Sequence, residues 1–223
     1  MVEMALAFPI LLLILAGTLE VGKYFNDYLT FLDATREGAR YAADGDLLNN
    51  VTEPSSNCDD NFFHQAACLA KQNISSITYD DLADDIVVSA MSVDGTGHIV
   101  PNSRFPRPIS AGPPPSWMPD YRDGLVSSAE EGWSYCKHII KTGCTPKTSR
   151  FTNAAIEAML ATNPTPLGNN PGTGIVIVEI YRLHRQFLGL IPPGLSFLPQ
   201  EVIMHAYTMM PLPSVAPPPS YTP

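Results

Sequence analysis

The side chains able to do chemistry in this chain are scattered rather than gathered. Three acidic doublets, Asp59/Asp60, Asp80/Asp81 and Asp84/Asp85, could ligate calcium through their carboxylates, but their spacing matches no calcium loop and reads better as caps and turns. Five histidines, His64, His98, His138, His184 and His205, show no triad logic. Asp94-Gly-Thr-Gly97 resembles a protease aspartate triplet, but Gly95 separates acid from threonine, so a hairpin turn explains it better. Pro171-Gly-Thr-Gly174 lacks the lysine of a phosphate loop, and neither G-x-S-x-G nor H-E-x-x-H occurs. No catalytic residue, metal site or cofactor is assigned.

Four cysteines, Cys58, Cys68, Cys136 and Cys144, all follow an apolar amino-terminal block. An even count suggests two disulfides on an exported side. Three pairings are open. The local pairs 58–68 and 136–144 are expected, because each closes a small loop beside a predicted helix. His64 and His138 lie near these cysteines, yet without C-x-x-C a zinc site is disfavoured, and without C-x-x-C-H so is covalent haem. Asn50-Val-Thr52 and Asn73-Ile-Ser75 fit the N-glycosylation pattern, each a weak signal.

The most telling ionisable group is Glu3. It stands at the mouth of an uncharged apolar block, residues 4–19, where a carboxylate is expensive and usually has a partner. In a single anchor it snorkels to the headgroups. In a bundle of identical helices it pairs with a neighbour's α-amino group and sets axial register. The block continues into a helical pattern without a cleavage-site signal, as a retained anchor does. Pro9 lies inside it and predicts a kink or a locally melted turn. Around and beyond Gly22, Val21, Tyr24, Phe25, Tyr28, Phe31, Leu32, Thr35, Ala39 and Ala42 recur at three- and four-residue steps. Glu20/Lys23, Asp33/Arg36 and Glu37/Arg40 support an exposed face. One helix over residues 2–43 would be about 60 Å long, either a stalk or the spine of a polymer.

These residues carry a family resemblance. An acid before an apolar run, an early proline, Glu-Val-Gly-Lys-Tyr at 20–24 and Ala-Thr-Arg-Glu-Gly-Ala-Arg-Tyr-Ala-Ala at 34–43 resemble the amino-terminal signature of TadE-like pseudopilins of tight-adherence (Flp-type, type IVc) pilus systems. The likeness covers about the first fifth of the chain, and the acid stands nearer the start than the family pattern has it. It implies insertion in the inner membrane, processing by a prepilin peptidase, and handling by the pilus assembly machinery. It also implies polymerisation into an extracellular filament that attaches to a surface or cell target. The residues implied in the filament core are Glu3, Phe8, Pro9, Leu11, Leu12, Leu13, Ile14, Leu15, Val21, Tyr24, Phe25, Tyr28 and Phe31. A minor subunit that primes assembly is the alternative within the family. A monomeric membrane-anchored binding module and a tethered hydrolase are the alternatives outside it.

The remaining chain reads as one α+β domain, residues 47–210, between the helix of residues 1–46 and a proline-rich tail, residues 211–223. Helices are predicted over 61–72, 129–141 and 153–161, and strands over 85–93, 98–100, 174–185 and 201–210. The three longer strands suggest an antiparallel sheet packed on the distal half of the long helix, a plan similar to that of TadE-like proteins. Seven prolines between 101 and 123 predict a long surface excursion. The 223-residue chain carries a formal charge of −9, which argues against nucleic acid as a partner, since the sequence holds no basic run to neutralise phosphates. Its 22 prolines are about twice average usage.

Overall fold

The computed structural model describes residues 2–45 (side chains from residue 7), 58, 61–74, 77–118, 121–162, 173–185 and 201–216. Helix α1, Val2–Asp44, runs unbroken through Pro9, so the expected local melting is not found. Proline removes only one N–H from a ladder of some forty residues, and the turns on either side hold. At 1.5 Å per residue α1 is on the order of 65 Å long.

Helix α2, Phe62–Gln72, begins where predicted. The Asn61 side chain accepts the His64 N–H at its amino end. Next come strands β1, Asp85–Val93, and β2, Ile99–Phe105, and two short parallel-paired strands, β3, Arg107–Pro108, and β4, Arg122–Asp123. Strand β5, Trp133–Ser134, helix α3, Asn153–Thr162, and the long strands β6, Thr173–Arg185, and β7, Glu201–Leu212, complete the order.

The main sheet has the order β2-β1-β6-β7, with β5 beside β2 on the same edge of β1. All its pairs are antiparallel. The three longer predicted strands are β1, β6 and β7; β2 grows from the short strand predicted at 98–100 and extends it to Phe105, and β5 is the unpredicted addition. Strand β1 is buried along its whole length, because both faces of the sheet are covered. One face carries Val88, Ala90, Val176, Val178, Ile180, Met204 and Ala206 against α1 and α2. The other carries Met91, Ile175 and Ile177 against Phe151 and Ile156 of the α3 region.

Small residues let α1 approach so closely. Ala34, Thr35, Gly38, Ala39 and Ala42 form one buried stripe, while Arg36, Glu37, Arg40 and Tyr41 face outward. A methyl group at Gly38 would stand 2.9 Å from both the Ala66 carbonyl oxygen and the Ala70 Cβ of α2. The Ala-Thr-Arg-Glu-Gly-Ala-Arg-Tyr-Ala-Ala step is thus, in physical terms, a docking stripe with a charged back.

Two segments fold otherwise than predicted. Residues 129–141 are not one helix: Trp133 and Ser134 pair with Val88 and Val87 of β1, and only Cys136–Ile140 makes a π-helical turn. The cause is Asp85, whose carboxylate accepts hydrogen bonds from Ser134 Oγ (2.6 Å), Cys136 N–H (3.0 Å) and Lys147 N–H (2.7 Å) and pins that stretch to the sheet. Nor is the proline-rich stretch a mere excursion, since Phe105, Arg107, Met118 and Tyr121 are buried, with Tyr121 edge-on to Phe63 at 5.0 Å. Pro101 is accommodated because β2 is an edge strand. At the carboxyl end β7 continues past Met210 to Leu212, and Leu212 and Val215 are buried.

Both local disulfides form, Cys58–Cys68 and Cys136–Cys144, with Cα separations of 5.7 and 5.8 Å. The Asp94 turn is the predicted hairpin. Its Oδ1 accepts from Thr96 N–H (2.8 Å), Thr96 Oγ1 (2.7 Å) and His98 N–H (3.0 Å). Burial works to raise this carboxyl, and those bonds outweigh it and hold it below the usual carboxylate range.

Candidate functional site

The front half of α1 is the candidate site. Phe8, Leu11, Leu12, Leu13, Ile14, Leu15, Val21 and Phe25 are each 47–63% exposed, and none of the other described residues covers them. The helix contains an 18-residue apolar window with no residue buried, which by length and composition suffices to cross a membrane. Pro9 is exposed on this stretch. The side chain of Glu3 lies outside the described residues. Ile10, Leu19 and Leu29 belong to the same exposed set, and their apolar type on the same helix was the signal for them.

Three residues expected in the filament core behave differently. Tyr24 and Tyr28 are half-buried against the subunit's own core, and Phe31 is 1% exposed within it, beneath the Arg182 guanidinium at 5.4 Å. The apolar stripe therefore changes its partner part-way along the helix. Before the neck it looks outward; after it, it looks into the sheet.

A polar cluster marks that change. Asp27 is 1% exposed, and it accepts two hydrogen bonds from Lys23 Nζ, at 2.9 and 3.2 Å. His184, near the end of β6, lies with Nδ1 3.7 Å from Asp27 and Nε2 3.4 Å from Glu20, and its ring meets Tyr24 edge-on at 5.3 Å. Arg182 lies 3.6 Å from Asp84, whose carboxyl burial pushes above the usual range. This collar of charge begins at Glu20, the first residue after the apolar block.

The other ionisable groups are bound in separate places. His138 lies flat on Trp133 at 4.7 Å, with Nδ1 2.7 Å from the Ser134 carbonyl oxygen and Nε2 2.6 Å from Asp123 Oδ2. Burial acts to raise Asp123, but the bond from His138 and the nearby positive charges bring it below the usual range. The Ser134 hydroxyl donates to Asp85, away from His138, so serine and histidine form no nucleophile–base pair. Glu179 Oε2 accepts from Arg150 N–H (3.1 Å) and the Tyr181 hydroxyl (2.8 Å) and lies 2.8 Å from His205 Nε2. Among the described residues no group of three or more His, Cys, Asp or Glu is arranged to hold a metal. Asn73 is exposed at the end of α2, its Nδ2 donating to the Leu69 carbonyl (3.0 Å); Asn50 lies outside the described residues.

An apolar rod, uncovered among the described residues, is thus joined through a charged collar to an α+β head, and by length and composition the rod could cross a membrane. The model of the TadE-like protein family matches residues 1–40, the rod and most of its docking stripe, and over that stretch the chain is similar to the family. No curated protein and no solved structure matches the chain.

Proposed function

We propose that this chain is a structural subunit of a Tad-type pilus, polymerising through the front of α1. The observation that carries the reading is the contrast along one helix. Its rear half is buried by its own chain, whereas its apolar front has no cover among the described residues. Such a surface is stable in a bilayer or against copies of itself, not in water. The precursor would hold α1 in the inner membrane and meet the prepilin peptidase and the assembly machinery there. In the extracellular filament, Phe8, Pro9, Leu11 to Leu15, Val21 and Phe25 would pack between subunits, and Glu3 would neutralise a neighbour's amino terminus. Tyr24, Tyr28 and Phe31 would set the base of the head. The head would then form the outer coat and meet a surface or a cell.

Electron microscopy of sheared surface material, with mass spectrometry of its subunit, tests this. Fibres containing this chain are expected, and Leu12→Arg should abolish them while the head still folds. A protein that is solitary in detergent and absent from sheared material would return the reading to a monomeric anchored module.

A further inference from the structure

The head has an underside, and the rod sets its height. Strands β6 and β7 pair antiparallel, with His184 opposite Val202 and Arg185 opposite Glu201. His184 meets Glu20, Tyr24 and Asp27 on α1, and two residues back along β6 Arg182 lies over Phe31. Higher still, the hydroxyls of Thr35 and Thr208 share a hydrogen bond of 2.9 Å. Strand β6 therefore runs down the rod toward the apolar block, and the head cannot slide along the rod without breaking these contacts.

The heights follow from helix geometry. The uncharged apolar block ends at Leu19, and small and apolar residues continue to Gly22. At 1.5 Å per residue Tyr24 stands about 3–8 Å beyond that end, and Phe31 about 14–18 Å. The headgroup layer on each face of a bilayer is about 5–8 Å deep. A rod seated across a bilayer thus sets the His184–Val202 pair among the headgroups and leaves most of the sheet above them.

The side chains at this end suit that depth. Outside α1 the described residues expose six large apolar side chains, Leu82, Ile109, Leu125, Val202, Ile203 and Tyr207. Three of the six belong to the underside. Leu82 and Ile203 line one cleft of about 370 Å³, and Val202 is next to Ile203 on β7. Tyr24 and Tyr28, half-buried on the rod beside Lys23, are of the residue types that settle at a membrane interface. The charges here are matched. Arg185 donates to Glu201 (3.1 Å), Arg182 lies 3.6 Å from Asp84, and Asp80 and Lys147 line the cleft with opposite signs. The surface therefore favours contact with lipid in general over an anionic lipid in particular.

We propose that, while α1 lies in the bilayer, the underside of the head rests on the lipid headgroups through Leu82, Val202 and Ile203. This deepens the membrane stage of the pilus reading and rests on it, so the test reads the rod and the underside separately. The full chain, its disulfides left oxidised, is placed in dioleoylphosphatidylcholine vesicles with one added cysteine carrying a fluorophore. Thr145→Cys reports the underside, since Thr145 is exposed and lines the same cleft. Gly95→Cys reports the far end of the sheet. It lies just beyond Val93, whose partner Thr173 is about 33 Å along β6 from Leu183. Leu12→Cys reports the rod.

A headgroup nitroxide lipid should quench most of the fluorescence at Thr145→Cys and leave Gly95→Cys bright, to the same extent when phosphatidylglycerol is added. An acyl-chain nitroxide should quench Leu12→Cys. Adding Leu82→Asp and Ile203→Asp together should remove most of the quenching at Thr145→Cys, with the rod signal and the melting temperature unchanged. A bright Thr145→Cys beside a quenched Leu12→Cys overturns this proposal and leaves the membrane stage standing. A bright Leu12→Cys overturns both. Quenching at Thr145→Cys that appears only with phosphatidylglycerol, or that survives the double substitution, overturns the apolar contact.

Discussion

The two halves of α1 share a helix and differ in what completes them. The rear half uses small residues. Ala34, Gly38, Ala39 and Ala42 lie flush against α2 and the sheet, and the interface is finished within one chain. The front half uses large ones, Phe8 through Phe25, and the described residues supply no surface to receive them. Small residues suit a contact whose geometry is fixed by the fold, since a backbone can approach to within van der Waals distance. Large flexible ones suit a contact with lipid first and other helices later.

The largest effect should come from overfilling the finished half. Gly38→Val places its Cβ 2.9 Å from α2 atoms, and a second branch makes it worse, so the head should lose about 3 kcal/mol or fail to fold, read by thermal melting. Phe31→Ala should cost a similar ~3–5 kcal/mol. Leu12→Ala, on the open half, should leave the melting of the head unchanged. An equal loss there would mean that the two halves are not distinct.

Reduction of the disulfides comes next. Cys58–Cys68 and Cys136–Cys144 close short loops, with sequence separations of 10 and 8, and each should be worth about 2.5–3 kcal/mol through the unfolded chain. Both lie in the head. Dithiothreitol should therefore lower the melting temperature of the head and leave membrane insertion of the front half intact, as judged by flotation.

The smallest effect is the dependence on acid. Asp123 titrates lower in the folded chain than its unfolded value of about 3.9, so the unfolded state binds more protons in acid. Its contribution is present above about pH 4 and fades as pH falls through the folded value. Asp123→Asn should thus flatten the drop in melting temperature between pH 5 and pH 3. Asp84 and Asp85, both raised by burial, slope the other way and cancel when variant and parent are compared. An unchanged drop would show that the Asp123–His138 contact does not hold the carboxylate charged.

Much of this organisation was legible in the residue order because it rests on local periodicity. The apolar block, the α1 stripe, the helix of 61–72, the β-branched strands of 85–93 and 174–185 and the short cysteine loops all announce themselves within a few residues. What escaped depends on partners far along the chain. Ser128 and Glu131 have the spacing of a helix start, but Asp85 captures Ser134 and Cys136 from about fifty residues away. Tyr121 reads as part of a proline-rich loop until Phe63 stands beside it. Phe31 continues the outward apolar stripe by spacing alone, and only the position of the sheet shows that it has turned inward.

The collar fixes more than a junction. With His184 wedged against Glu20, Tyr24 and Asp27, rotation of the head about the rod's axis would tear apart a buried acid and its partners. Each copy thus keeps one compass bearing relative to its own rod. Wherever rods are set side by side in a repeating order, the same flank of every head must point the same way.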